Sequence, residues 1–346
     1  MAATATPTPK TNRIGLPVIE YRGSKTTLCA GCGHNAISER IIDAMYEMGV
    51  QPERVMKLSG IGCSSKSPAY FMSRSHSFNS VHGRMPSVAT GALLANKTMM
   101  GIGVSGDGDS ASIGIGQFVH LMRRNLNMIY IIEDNGVYGL TKGQFSASAD
   151  VGSKSKRGEP NRMAPIDSVS LGLSLGATFI ARSFSGDKEQ LVPILKAGLA
   201  HRGFAIVDVI SPCVTFNDHV GSTKSYLYTR QHTRKITESD FVPPATEILA
   251  TIGNAGTTTV TMHDGSVVRF TGVPKDYDPT NRQRVTAYLQ EHQSQGEVVT
   301  GLLYLDESVP DLHEMSNSPD GALSKVPYEK LCPGAAELAK LQEEYR

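Results

Sequence analysis

Between residues 54 and 210 the chain alternates apolar runs of strand length with stretches of helix length, and this alternation restricts the fold most. RVMKLS (54–59), MGIGVS (100–105), NMIYIIE (127–133), ATFIARS (177–183) and FAIVDVI (204–210) read as strands. PSVATGALLAN (86–96), GQFVHLMRRN (116–125), IDSVSLGLSLG (166–176) and KEQLVPILKAGLAHR (188–202) read as helices. Strands that stay apolar on both faces, with helices between them, predict a doubly wound α/β fold around a parallel sheet. Its crossovers should be right-handed. Upstream, NAISERIIDAMYEMG (35–49) reads as an amphipathic helix ending at Gly49. Downstream, residues 260–270 read as a hairpin turning at Asp264-Gly265, 282–295 as a helix and 298–305 as another strand.

The 346 residues suffice for one large α/β domain with extensions or for two to three domains. Three parts are expected: a flexible tail over 1–20, a cofactor-binding α/β domain over 21–240, and a C-terminal extension and arm over 241–346. A hydrophobic content of 40% excludes a wholly disordered chain. A net charge of +1 argues against nucleic acid held mainly by charge. No run approaches the roughly 18 apolar residues of a membrane span, and MAATATPTPKTN has no apolar stretch of a secretory signal. The expectation is a cytoplasmic protein with no membrane or nucleic-acid partner. Five cysteines at 29, 32, 63, 213 and 332 form no disulfide framework. They suggest a metal or redox role, with ordinary buried cysteines as the plain alternative.

Ligands of open parallel sheets collect beyond the carboxyl ends of the strands. Four predicted strands end in unusual residues there: Gly-Ile-Gly-Cys-Ser-Ser-Lys (60–66), Gly-Asp-Gly-Asp (106–109), Asp-Asn-Gly-Val-Tyr-Gly-Leu-Thr (134–141) and Ser-Pro-Cys (211–213). Glycines at 106 and 108 allow close backbone approach, and a helix start beyond them suits phosphate. Asp107 opposes an anion unless a cation lies between them. Mg²⁺ fits, with Asn135 as a second oxygen ligand. An EF-hand is excluded, because Ala111 and Ile113 fall where its ligands would lie. Cys29-x-x-Cys32 with Cys63 and Cys213 could hold zinc or a [4Fe–4S] cluster.

Gly-Asp-Gly followed by Asn one βαβ unit later resembles the thiamine diphosphate-binding fold. CAGCGH (29–34), GIGCSS (60–65), HGR (82–84), GDGD (106–109), DNGVYGLTKGQ (134–144) and SPC (211–213) together resemble the β subunit of 2-oxoacid:ferredoxin oxidoreductases, most closely those acting on 2-oxoglutarate. That resemblance implies Mg²⁺ held by Asp107, Asn135 and the Val137 carbonyl. It implies a [4Fe–4S] cluster on Cys29, Cys32, Cys63 and Cys213, with Cys332 a bystander. Gly106, Gly108 and Asp109 would touch the diphosphate. Gly62, Cys63, Ser64 and His82 would line the cofactor pocket on one side, and Tyr138, Gly139, Leu140 and Thr141 on the other, with Gln144 beyond. Lys66 would meet a distal substrate carboxylate, and His82 and Arg84 the diphosphate or substrate. The basic segment 153–162 would cover the site, meet ferredoxin or stay solvated.

The implied reaction is oxidative decarboxylation of 2-oxoglutarate with coenzyme A as co-substrate to succinyl-CoA and CO₂, reversible as CO₂ fixation, with pyruvate or another 2-oxoacid as the alternative substrate. Electrons would leave through the cluster to ferredoxin. The implied partner is an α subunit, or a fused γ–α subunit, in an (αβ)₂ assembly. Two other readings stand beside it. One is a non-oxidative decarboxylase or synthase with structural zinc. The other is an electron-transfer subunit without thiamine diphosphate.

Overall fold

The structure is a computed structural model that describes residues 10–154, 158–236, 238–243, 258–271, 273–275, 277–332 and 334–345. The main sheet has eight strands: β1 (Val55–Ser59), β2 (His76–Asn79), β3 (Met100–Gly106), β4 (Met128–Asp134), β7 (Phe179–Phe184), β8 (Phe204–Ile210), β9 (Thr233–Lys235) and β13 (Val298–Leu305). Between β4 and β7 lies a two-stranded hairpin, β5 (Val137–Tyr138) and β6 (Gln144–Phe145). A three-stranded antiparallel sheet comprises β10 (Glu238–Val242), β11 (Thr258–Thr261) and β12 (Val267–Thr271).

The main sheet runs in the order β2-β1-β3-β4-β8-β7-β13-β9. Every pairing is parallel except β13 against β7. Apolar side chains alternate across it. Ile129 and Ile131 of β4 join one core layer, and Met128, Tyr130 and Ile132 the other. The first layer packs α1 (Gly33–Met48) and α5 (Lys188–Ala200) through Ile37, Ile41, Met45, Leu191 and Leu195. The second packs α2 (Met85–Ala95), α3 (Ile115–Arg124), α4 (Ser168–Leu175) and α7 (Arg282–Ser294) through residues such as Leu93, Phe118, Leu173 and Leu289. Each fully buried aliphatic side chain contributes about 2 kcal/mol.

Local chemistry sets the helix ends. Gly49 takes φ +62° and caps α1, donating its N–H to Met45 and Tyr46 carbonyls. Asp167 caps α4, accepting from the Val169 and Ser170 amides.

Three boundaries differ from the sequence expectation. Residues 1–9 of the expected tail lie outside the described residues, but 10–20 are fastened down. Asn12 donates to the Tyr21 hydroxyl (2.8 Å) and the Tyr46 carbonyl (3.0 Å). The expected division at 240 does not hold for β13, which enters the main sheet between β7 and β9 because its apolar run buries best there. The expected extended arm carries a helix, Gly334–Glu343, with Leu338 and Leu341 exposed. The hairpin at 260–270 is present as β11 and β12. Residues 155–157 of the basic segment lie outside the described residues.

Candidate functional site

Four strand ends build the site. β1 runs into the glycine loop 60–62 and a 3₁₀ turn, Ser64–Ala69. β3 ends at Gly106, and after Asp107 the chain winds one π-type turn, Gly108–Ile113, before α3; such turns recur at functional sites. β4 leads through Asn135 and Gly136 into the β5–β6 hairpin. β8 leads into Ser211-Pro212-Cys213.

These loops enclose a cavity of about 70 Å³. Gly62, Cys63, Ser64 and His82 line it, as do Gly106, Asp107, Gly108 and Asp109. Asn135, Val137, Tyr138, Gly139, Leu140 and Thr141 complete the fourteen residues expected at the cofactor, and the structure adds His34 and Ile61. The volume suits one end of a cofactor rather than the whole.

Asp107 is buried, with its Oδ2 accepting from Ser148 Oγ (2.5 Å), the Gly136 amide (3.1 Å) and Ser146. Its Oδ1 receives no hydrogen bond from the described residues. Burial and the nearby Asp134 charge push this carboxyl up to about 7, against the pull of both serines. A cation here would offset that penalty. Asn135 Oδ1 accepts from the Val137 amide (3.0 Å) and keeps a second lone pair. The donor set therefore fits Mg²⁺: hard oxygens beside an uncompensated buried carboxylate.

Asp109, expected at the diphosphate, has its carboxylate engaged by the protein. It lines the cavity, but its carboxylate accepts from the Gly83 amide (2.7 Å), the Ile61 amide (3.3 Å), Ser105 Oγ (2.6 Å) and His82. A second carboxylate facing a diphosphate would repel it, and here it braces three loops instead. His82 also packs edge-on against Tyr138, with centroids 5.9 Å apart. Among the described residues Arg84 reaches the Gly83 carbonyl (3.5 Å), and it lines neither this cavity nor the next.

A second cavity, about 190 Å³, adjoins the first. Cys29, Cys32, Cys63 and Cys213 all line it, together with Lys66. All five cysteines carry free thiols, and Cys332 lies exposed elsewhere. Lys66 lines the cysteine cavity and not the cofactor cavity. Burial, with the nearby Glu133, Cys213 and Cys63, pushes the Cys32 thiol up to about 12, against the pull of the His34 amide. Burial, then Cys213, raises Cys63 as well. Thiols in such a place become thiolates only when a metal takes them. Among the described residues no three His, Cys, Asp or Glu groups converge on a single ion. The sulfurs ring a space instead. A Cβ built on Gly139 would stand 3.6 Å from both Cys63 Sγ and Cys213 Sγ. That fits a cluster with a body of its own better than one tetrahedral zinc.

The sequence reading passed over His34. It is 1% exposed and lines both cavities. Its Nδ1 lies 2.6 Å from Ser211 Oγ and 3.4 Å from Glu133 Oε2. Burial lowers the His34 imidazole to about 4 and raises Glu133 well above the carboxylate range. The available signal was its place in Cys-Gly-His, in the first turn of α1.

A third cavity, about 280 Å³, opens beyond the ends of β4, β8 and β7. Asp134, Asp167, Asp208, Arg182 and Lys224 line it. Arg182 donates to Asp167 (2.8 Å) and Asp208 (2.9 Å), and Lys224 lies 3.6 Å from Asp134.

Sheet order, the glycine loops at the strand ends and the acid-amide pair define a thiamine diphosphate-type α/β domain. A family profile described as "Thiamine pyrophosphate enzyme, C-terminal TPP binding domain" matches residues 60–209. The 2-oxoacid:ferredoxin oxidoreductase subunit beta of Saccharolobus solfataricus is 41% identical over 191 residues, covering 55% of this chain and 63% of that one. The 2-oxoglutarate synthase subunit KorB of Methanocaldococcus jannaschii is 34% identical over 189 residues, covering 54% and 69%. Among solved structures, a 2-oxoglutarate:ferredoxin oxidoreductase from Magnetococcus marinus with 2-oxoglutarate, coenzyme A and succinyl-CoA bound matches with a TM-score of 0.71 and 28% identity, over 89% of this chain and 94% of that one. The chain belongs to the β-subunit family of the 2-oxoacid:ferredoxin oxidoreductases. Its match spans just under two thirds of the length of the Saccharolobus relative.

Proposed function

We propose that this chain is the β subunit of a 2-oxoglutarate:ferredoxin oxidoreductase, forming succinyl-CoA and CO₂ from 2-oxoglutarate and coenzyme A. Two electrons would leave one at a time to ferredoxin, and the reverse direction would fix CO₂. The observation that carries this reading is the pair of adjoining cavities, which share Cys63, Asn135, Gly139, Leu140 and His34. One suits a Mg-diphosphate group and the other a thiolate-held cluster. Thiamine diphosphate, when bound, supplies the electron sink for decarboxylation, and a [4Fe–4S] cluster supplies a one-electron outlet.

The chain's own residues have distinct tasks. Asp107, Asn135 and the Val137 carbonyl would hold Mg²⁺. Gly106 and Gly108 admit the diphosphate backbone-close, and Asp109 keeps the surrounding loops in place. Cys29, Cys32, Cys63 and Cys213 would hold the cluster. Lys66, on the cysteine side, can offer its ammonium to a distal carboxylate at the boundary of the two cavities. The small cofactor cavity supports a site completed by an α subunit, within an (αβ)₂ assembly. 2-Oxoglutarate is favoured over pyruvate because KorB relatives and the Magnetococcus structure carry that substrate in their names. No helix among the described residues is long and apolar enough to cross a membrane, which agrees with a cytoplasmic site of action.

Metal analysis on protein purified without oxygen tests the reading. About four iron and four sulfide per chain are expected. Stoichiometric zinc without sulfide would replace this reading with a non-oxidative enzyme. With the α partner added, CoA-dependent dye reduction should be faster with 2-oxoglutarate than with pyruvate.

A further inference from the structure

We propose that His34 is a positioning residue that couples the two cavities, so that binding of Mg-thiamine diphosphate and the redox state of the cluster depend on each other. The inference rests on the reading of the cavities given above.

One edge of the ring serves the cysteine side. Nδ1 meets Ser211 Oγ at 2.6 Å, two residues before Cys213. The same edge faces Glu133 at 3.4 Å. Glu133 in turn accepts from Ser67 Oγ at 3.0 and 3.1 Å, and Ser67 sits on the 3₁₀ turn that follows Cys63. His34 itself lies two residues after Cys32. The imidazole thus touches, directly or through one carboxylate, the supports of three of the four cysteines.

The other edge serves the cofactor side. Nε2 stands 3.4 Å from the Asn135 amide nitrogen. Asn135 is otherwise fixed through the Val137 amide (3.0 Å) and through Asn217, which donates to its carbonyl (2.8 Å).

The ring is enclosed by protein, with 1% of the residue exposed. A Cβ built on Gly33 would stand 2.5 Å from Ser211 Oγ and 2.9 Å from Ser185 Oγ. The first turn of α1 is therefore pressed against the loop that carries Cys213. A rigid ring in a close-packed wall transmits a displacement from one edge to the other. Anything that moves the cysteine loops on reduction moves Asn135, and anything that draws Asn135 onto a cation moves the cysteine loops. Such coupling is reciprocal.

The test uses the complex of this chain with its α partner, prepared anaerobically and assayed for iron, sulfide and thiamine diphosphate. Calorimetry gives the thiamine diphosphate Kd, with Mg²⁺ present, for oxidised and reduced cluster. Spectroelectrochemistry gives the cluster midpoint with and without thiamine diphosphate. The native protein should show about a tenfold difference in Kd and a matching midpoint shift of about 59 mV for one electron. His34→Phe, which keeps an aromatic ring without nitrogens, should cut the difference to threefold or less. Ser211→Ala leaves the ring in place and removes its cysteine-side contact, and it should cut the difference too.

Direct charge repulsion between the two cofactors would survive both variants. A difference in both variants within twofold of the native one therefore overturns the proposal. So does a native protein holding both cofactors with no dependence between them. Protein lacking iron and sulfide, or never binding thiamine diphosphate, would instead sink the functional reading beneath it.

Discussion

Two cavities at the same sheet edge are built on opposite plans. The larger, at about 280 Å³, sets its acids against its own cations, Arg182 with Asp167 and Asp208 and Lys224 with Asp134, and leaves Asp208 Oδ1 without a donor among the described residues. The smaller, at about 70 Å³, brings Asp107 and Asp109 together with no lysine or arginine among the described residues that line it. Volume alone would rank them in the wrong order for chemistry. Carboxylates that face their own lysine or arginine hold the fold together, whereas carboxylates lining a cavity without one are placed to meet a metal cation.

Removing Arg182 should break the first cavity hardest. Arg182→Met strands two buried carboxylates and should cost about 3–5 kcal/mol in urea unfolding, because an uncompensated buried charge is worse than none. Thiamine diphosphate affinity of the folded fraction should stay within twofold. A loss below about 1 kcal/mol would mean that the paired charges are not structural. Asp107→Ala should do the converse. Thiamine diphosphate affinity falls about 100-fold, on the scale of a lost contact at a metal site, while iron content and melting temperature hold. Unchanged thiamine diphosphate content would remove the distinction between the cavities.

Lys57 sharpens the comparison as a third kind of buried charge. Its Nζ is neither paired with an acid nor open to a ligand; it donates to the Phe71 and Met72 carbonyls at 2.6 and 3.0 Å. Burial lowers it from 10.5 to about 8. Between those values the unfolded chain binds more protons than the folded one, so stability rises with pH across that window. Pairwise comparison of melts for the native protein and Lys57→Met should isolate a gain on the order of 1–3 kcal/mol that the variant lacks. Parallel curves would show that Lys57 is not titrating there.

The parts of this arrangement legible in the sequence are those set by local pattern. Met128–Asp134 and Phe204–Ile210 are buried throughout, and an unbroken apolar run announces that. The fourteen residues expected at the cofactor share one cavity because they sit on loops at the ends of adjacent strands and just ahead of α2, and the family motifs mark those loops. β2 was missed because His76–Asn79 is an exposed edge strand with no apolar run. The place of β13 was missed because its pairing with β7 spans more than a hundred residues, and no local pattern encodes an antiparallel insertion. The bracing task of Asp109 was hidden because it depends on amides of two distant loops. His34 was hidden because its meaning comes from Ser211, 177 residues away.

The antiparallel seat of β13 has a consequence for biosynthesis. By the time residue 216 has left the ribosome, β1, β3, β4 and β8 and all four cavity cysteines have been made. The edge of β7 is then still bare, and Thr233–Lys235, once it has emerged, must wait for β13. A naked strand edge invites other chains. The four thiols of that cavity thus exist before the sheet is sealed, for the interval needed to synthesise about eighty more residues, roughly 4–16 s at ordinary elongation rates.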